Sequence, residues 1–149
     1  MNTNRRRIEA IKCISDFFRE LSVMSSLASC NVIGITEKIG NMKRFSVLSF
    51  PSELQKYSYP GCNVREIWCS AFLCSRECPI IGDECRELML SFSDNLGNLS
   101  AKEFSLKCRE YSLLFEGHYN DAKKDAHNKN SLMAGAGILG AAAVFIILV

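Results

Sequence analysis

Proline, histidine and net charge are all scarce in this sequence. Its 149 residues hold three prolines, two histidines and a formal charge of only +2. No tract rich in Pro, Gly or Ser divides the chain, so roughly the first 130 residues are enough for one compact domain and not for two. A charge so close to balance, without a basic stripe interleaved with aromatics, excludes nucleic acid as a partner. No Cys-x-x-Cys occurs despite eight cysteines, so neither a zinc ribbon nor a thioredoxin-type site is signalled. The histidines, His118 and His127, lie in another segment from the main group of cysteines. A paired-carboxylate pattern, a phosphate loop and a Ser/His/Asp order are missing as well, so no catalytic residue, metal or cofactor is expected. Near the N-terminus, MNTNRRRIEAIKCISDFFRELS is interrupted by charge at every turn, and no apolar core of a secretory signal is present. Arg5, Arg6 and Arg7 read as a solvated terminus, with contact to anionic lipid as the alternative.

The last residues are rich in what the rest lacks. Leu132 to Val149 runs for eighteen residues without a charge or a strong polar group. Within it, Gly135-x-Gly137-x-x-Gly140 spells the dinucleotide-binding fingerprint, but no buried strand precedes it and no acidic residue follows it. As a helix this run is about 27 Å long, close to the thickness of a bilayer core. The expected organisation is therefore a helical soluble domain at 1–127, a juxtamembrane linker at 128–131 and a C-terminal transmembrane anchor at 132–149. A hydrophobic helix within a soluble core is the alternative. Ala136 with Gly140 and Gly137 with Ala141 form small-xxx-small pairs, which would let a second transmembrane helix approach and support a homo-oligomer. Lys123, Lys124 and Lys129 precede the run, and such flanking charge places the domain on the cytosolic face. A single C-terminal span without a leader is a tail anchor, expected in the mitochondrial outer membrane or the endoplasmic reticulum.

Apolar spacing predicts helices nearly throughout. Ile8, Ile11, Ile14, Phe18 and Leu21 mark a first helix ending about Leu27, with Thr3 or Asn4 as its cap. Residues 30–50 are ambiguous: Ile35, Ile39, Met42 and Phe45 suit a helix weakened by Gly40, while 45–50 could be a short strand. Pro51 opens a helix through Tyr57, with Ser52 and Gln55 resembling a capping box. Asn63 caps a helix carrying Ile67, Trp68, Ala71 and Phe72. Asp83 caps the next, which brings Leu88, Met89 and Phe92 together and ends near Gly97. Ser100-x-x-Glu103 is a capping box opening a helix with Phe104, Cys108, Tyr111 and Phe115 on one face, which either breaks at Gly117 or runs on. The expected fold class is all-α: a compact bundle of five or six helices followed by a single transmembrane helix.

Five of the cysteines, Cys62, Cys69, Cys74, Cys78 and Cys85, form a dense group. Reducing cytosol would keep them as thiols; an oxidising compartment would permit disulfides. Cys74 and Cys78 at i, i+4 would share a helix face, suited to core packing first and to metal second. Two short resemblances are present. Gly117-x-Tyr119-x-x-Ala122 resembles the turn between the paired helices of a tetratricopeptide repeat, although Arg109 and Glu110 stand where that pattern has an apolar-small pair. A helical body with a C-terminal anchor is also similar in layout to mitochondrial fission adaptors and to apoptosis regulators. The leading expectation is a tail-anchored, non-enzymatic adaptor or regulator that binds a lipid bilayer and a protein partner. The alternatives are a disulfide-stapled protein of attachment or fusion on a viral membrane, and a thiol-dependent enzyme.

Overall fold

The structure, a computed structural model, describes the backbone of residues 2–27 and 31–148 and the side chains of residues 2–26 and 31–135. Six α-helices and no strand occur among the described residues. They are α1 (Thr3–Leu27), α2 (Val32–Gly40), α3 (Phe50–Tyr57), α4 (Val64–Leu73), α5 (Asp83–Phe92) and α6 (Ala101–Leu148). Single 3-10 turns lie at Lys43–Phe45 and Ser93–Asn95. By its internal contacts the chain divides into residues 1–119 and 120–149. The helical bundle is the first of these. In the second, the described part carries exposed Lys123, Lys124 and Lys129.

Local signals account for most helix starts. The Asn31 side chain accepts the Gly34 N–H at 3.2 Å, and that of Asn63 accepts the Arg65 N–H at 2.9 Å. Both satisfy donors that a first turn leaves open. The Ser100–Glu103 box is reciprocal: Ser100 N–H donates to Glu103 Oε2 at 3.0 Å and Glu103 N–H to Ser100 Oγ at 3.2 Å. At α1 the capping side chain is that of Asn2, which accepts the Asn4 N–H at 3.2 Å, rather than Thr3 or Asn4. The short strand considered for 45–50 is replaced by turns. Phe45 N–H donates to Met42 O at 2.9 Å and Leu48 N–H to Phe45 O at 3.0 Å, so the backbone is paired locally while Phe45, Leu48 and Phe50 are buried. Gly40, the last residue of α2, lets α3 pass against it: a Cβ there would lie 2.2 Å from Pro51 Cβ, closer than any side chain permits.

Serines bring the two longest helices together. Ser15 Oγ donates to Ser112 O and Ser112 Oγ to Ser15 O, both at 2.8 Å. Seven residues along, Ser22 Oγ donates to Ser105 O at 2.8 Å and Ser105 Oγ to Ser22 O at 2.7 Å. The pairing of 15 with 112 and 22 with 105 makes this part of α6 antiparallel to α1. Phe18 is fully buried beside this seam. Its ring stacks on Phe115 at 5.5 Å and meets Phe92 edge-on at 4.8 Å. Trp68 lies against Phe92 and Phe50 and donates from Nε1 to Met89 O at 2.8 Å. Offset and edge-on rings of this kind add about 0.5–1.5 kcal/mol per pair beyond the area they bury.

Helix α3 takes its cap from far along the chain. Glu77 is 2% exposed, and its carboxylate accepts three donors at the N-terminus of α3. Oε1 takes the Phe50 N–H at 2.7 Å; Oε2 takes the Ser49 N–H at 3.0 Å and the Ser49 hydroxyl at 3.1 Å. Ser49 Oγ in turn accepts the Arg76 N–H at 2.8 Å. A helix N-terminus stabilises negative charge, and three donors offset the desolvation of the carboxylate. The box expected from Ser52 and Gln55 is not used; the Ser52 hydroxyl donates to Ser49 O at 2.8 Å.

The expected transmembrane helix is corrected. Among the described residues no helix is long and apolar enough to cross a membrane. Charged residues run along α6 from Asp121 to Lys129, and only Leu132 to Gly135 of the apolar run have described side chains. Ala136, Gly137, Gly140 and Ala141 lie outside the residues whose side chains are described. Gly117 lies inside α6, so the turn that the tetratricopeptide resemblance implies is absent.

Replacing Glu77 by Gln removes the charge and sets a donor against backbone N–H groups. The loss should be roughly 2–4 kcal/mol, seen as a fall of about 5–15 °C in Tm. A variant melting within about 2 °C of the parent would show that the carboxylate does not hold α3.

Candidate functional site

Helix α5 begins where Gly82 adopts φ +88, a conformation that side chains rarely accept. Arg7 closes over this turn, with its guanidinium 3.0 Å from where a Cβ would stand. Asp83 pairs with Arg86 at 2.9 Å, and Arg86 Nε donates to Cys78 O at 3.2 Å. From this start, α5 buries Cys85, Met89 and Phe92. Its next face therefore carries Glu84, Glu87, Leu88 and Ser91, spaced i, i+3, i+4 and i+7.

These four residues and His118 of α6 line an open cleft of about 370 Å³. Ser91 anchors it: its hydroxyl donates to Leu88 O at 3.0 Å and takes the Tyr111 hydroxyl at 2.9 Å. At the other end His118 Nδ1 is 3.4 Å from Glu84 Oε2. The Glu84 side chain is 83% exposed there. Further along, α6 displays Leu106, Leu113 and Leu114 with 58%, 60% and 42% of their surface exposed. Leu106 and Leu113 stand two turns apart on the side of α6 away from buried Phe104, Cys108, Tyr111 and Phe115. A second cleft, of about 240 Å³, lies between Arg6, Glu9, Arg76 and Glu77. Its deepest group, Glu77, is committed to α3.

The five grouped cysteines are scattered. All are free thiols. Cys62 is half-buried and shares a hydrogen bond with the Tyr59 hydroxyl, which pushes the Tyr59 pKa above its ordinary value. Half-buried Cys69 donates to Ser93 Oγ at 3.3 Å. Helix α4 ends at Leu73, so Cys74 and Cys78 share no helix face. Cys74 is exposed and accepts the Tyr57 hydroxyl at 2.8 Å, which raises the Tyr57 pKa; Cys78 is buried in the following turns. Cys85 faces the core and its thiol is pushed up to about 11, chiefly by burial. Cys13, also buried, is pushed up to about 12 by burial and by the charge of Asp16, Glu77 and Glu9. Cys30 lies outside the described residues. No group of three His, Cys, Asp or Glu side chains is placed to hold a metal among the described residues.

Sequence reasoning passed over the cleft. Leu88 was grouped with Met89 and Phe92 as core, yet it is half-buried at the cleft. Glu84 and Glu87 carry no motif. The usable signal was the spacing of 84, 87, 88 and 91, which sets one apolar residue among polar ones on a face adjoining the buried one.

Raised thiol pKa values deplete the thiolate, the form that reacts. With a mild alkylating agent at neutral pH, Cys74 should label first and Cys13 and Cys85 last, as read by peptide mass spectrometry over time. Labelling of Cys13 ahead of Cys74 would contradict this burial.

The family model for stage III sporulation protein AB matches residues 2–149. No curated protein and no solved structure matches the chain. The family corrects the expected location: a bacterial sporulation protein is not a tail-anchored protein of the mitochondrial outer membrane or endoplasmic reticulum, nor a component of a viral membrane. The matched span covers nearly every residue, and the chain belongs to the stage III sporulation protein AB family.

Proposed function

We propose that this chain serves sporulation as a non-enzymatic helical adaptor or regulator that holds a protein partner against the exposed surface of α6. The observation that carries this reading is the set of leucines at 106, 113 and 114, all substantially exposed on one helix. Single exposed apolar residues are ordinary, whereas several on one helix form a patch of the kind that binds proteins. Burying such a side chain contributes about 1.5–3 kcal/mol, so three of them are a useful share of a moderate affinity. Helix-in-groove binding uses this spacing of apolar anchors. The thiol-enzyme alternative has less support: burial raises the pKa of both Cys13 and Cys85, the opposite of what an activated nucleophile needs.

Exposed positions tolerate charge, so Leu106→Glu with Leu113→Glu should keep the helical spectrum and shift Tm by only about 1–2 °C. The same double variant, as the only copy in a sporulating cell, should reduce spore yield by about tenfold or more through lost partner affinity. Spore yield equal to that of the parent would remove the α6 leucines from the function.

A further inference from the structure

We infer that the cleft between α5 and α6 receives a basic, leucine-bearing segment of a partner protein. This inference rests on the adaptor reading and specifies the chemistry of its partner. Several helical carboxylates are occupied by cations of the same chain. Asp16 pairs with Lys12 and Arg19, Glu20 with Arg44, Glu53 with Lys56, Asp94 with Arg65, and Glu110 with Lys107. Glu9, Glu37 and Glu66 have no cation partner among the described residues; what sets Glu84 and Glu87 apart is that both line one cleft whose lining holds no lysine or arginine. Glu84 faces only His118, which is charged only when protonated, and Glu87 has no cation within pairing distance among the described residues. The two stand three residues apart on one rim of the same cleft, so their charges reinforce one another there.

The rest of the cleft suits the stem of a long cationic side chain. Leu88 supplies an apolar floor between the two carboxylates. Lysine and arginine lay their methylene stems on such surfaces while the charged head stays at the edge. An arginine head can engage a carboxylate through two parallel hydrogen bonds. The bonded pair of Ser91 and Tyr111 closes the far end, and Leu114, one turn along α6 from both Tyr111 and His118 and 42% exposed, is a seat for an apolar neighbour. Arg86, the nearest cation on α5, is bound to Asp83 and to Cys78 O and does not neutralise the rim. An apolar floor, an acidic rim without lysine or arginine and an exposed leucine alongside match a segment that carries an arginine or lysine about one turn from a leucine.

The test titrates the isotope-labelled full chain with an end-capped helical peptide bearing two arginines and a leucine on one face, and with its arginine-to-glutamate counterpart. The arginine peptide should shift the amides of residues 84–91 and 111–118. Its Kd should weaken by about fivefold or more in Glu84→Gln/Glu87→Gln, and again on raising the salt, because exposed pairs are screened. Equal shifts with the glutamate peptide, or an unchanged Kd in the double variant, would overturn the inference. Sedimentation of the chain alone covers the remaining occupant. Self-association abolished by Glu84→Lys/Glu87→Lys would assign the cleft to a second copy and overturn the assignment to another protein. If the peptide fails while the α6 leucine variant still blocks sporulation, the adaptor reading stands and only the basic occupant falls.

Discussion

The close approach of α1 and α6 is the constraint on which the bundle depends. Serine side chains at 15, 22, 105 and 112 are short enough for the two backbones to come together, and each hydroxyl is satisfied by the carbonyl of the facing helix. A larger residue would push the helices apart; an alanine would leave the opposite hydroxyl its bond but lose its own. Ser15 and Ser112 are 97 residues apart in sequence, so this seam closes the bundle from its two ends. Phe18 can stack on Phe115 only because the seam sets the distance. Phe18 then touches Phe92, Tyr111 and Trp68, which carries the packing outward to α4 and α5.

A core so rich in aromatic rings leaves small gaps between them, and the buried cysteines belong with those gaps. Cys85 and Cys108 are 2% and 0% exposed, and each occupies a position facing the rings of its own helix. A buried cysteine packs there as a small side chain. At Cys85, burial that raises the thiol pKa also protects it, because the reactive thiolate is scarce. Nearer the surface, Cys69 bonds to Ser93 and Cys74 to Tyr57.

Much of this arrangement was legible because it is local. Asn63 and the Ser100–Glu103 box act within a few residues, and the apolar spacing of 67, 68, 71 and 72, or of 104, 108, 111 and 115, requires nothing beyond one helix. The features that escaped depend on distance along the chain. Glu77 caps a helix whose first residues lie 27 and 28 positions earlier, so no window of sequence contains both the acid and its donors. The turn at Lys43–Phe45 escaped because buried Phe45 and Leu48 fit several local patterns equally well. Reading Cys74 and Cys78 as partners on one helix failed because α4 ends at Leu73, where no glycine or proline announces it. The site was less legible than the fold, since Glu84, Glu87 and Leu88 acquire meaning only when His118 and Tyr111 are brought beside them.

The same distinction explains why the α5 face is a better candidate than the cleft at Arg6 and Arg76. At the latter, the buried carboxylate of Glu77 already has three donors and a structural task, so a ligand entering there would compete with the cap of α3. On α5 the division is reversed. Asp83 and Glu84 lie in the first turn, where the helix dipole favours negative charge, but Glu87 sits beyond that turn and draws little from it. Neither Glu84 nor Glu87 is needed to fill a backbone donor, and neither is tied to a lysine or arginine among the described residues. Their charge contributes a field at the cleft rather than a bond within the protein. A partner that neutralised them would disturb no capping interaction. The outer face of α5 can therefore change its occupant without any change in the core that holds it.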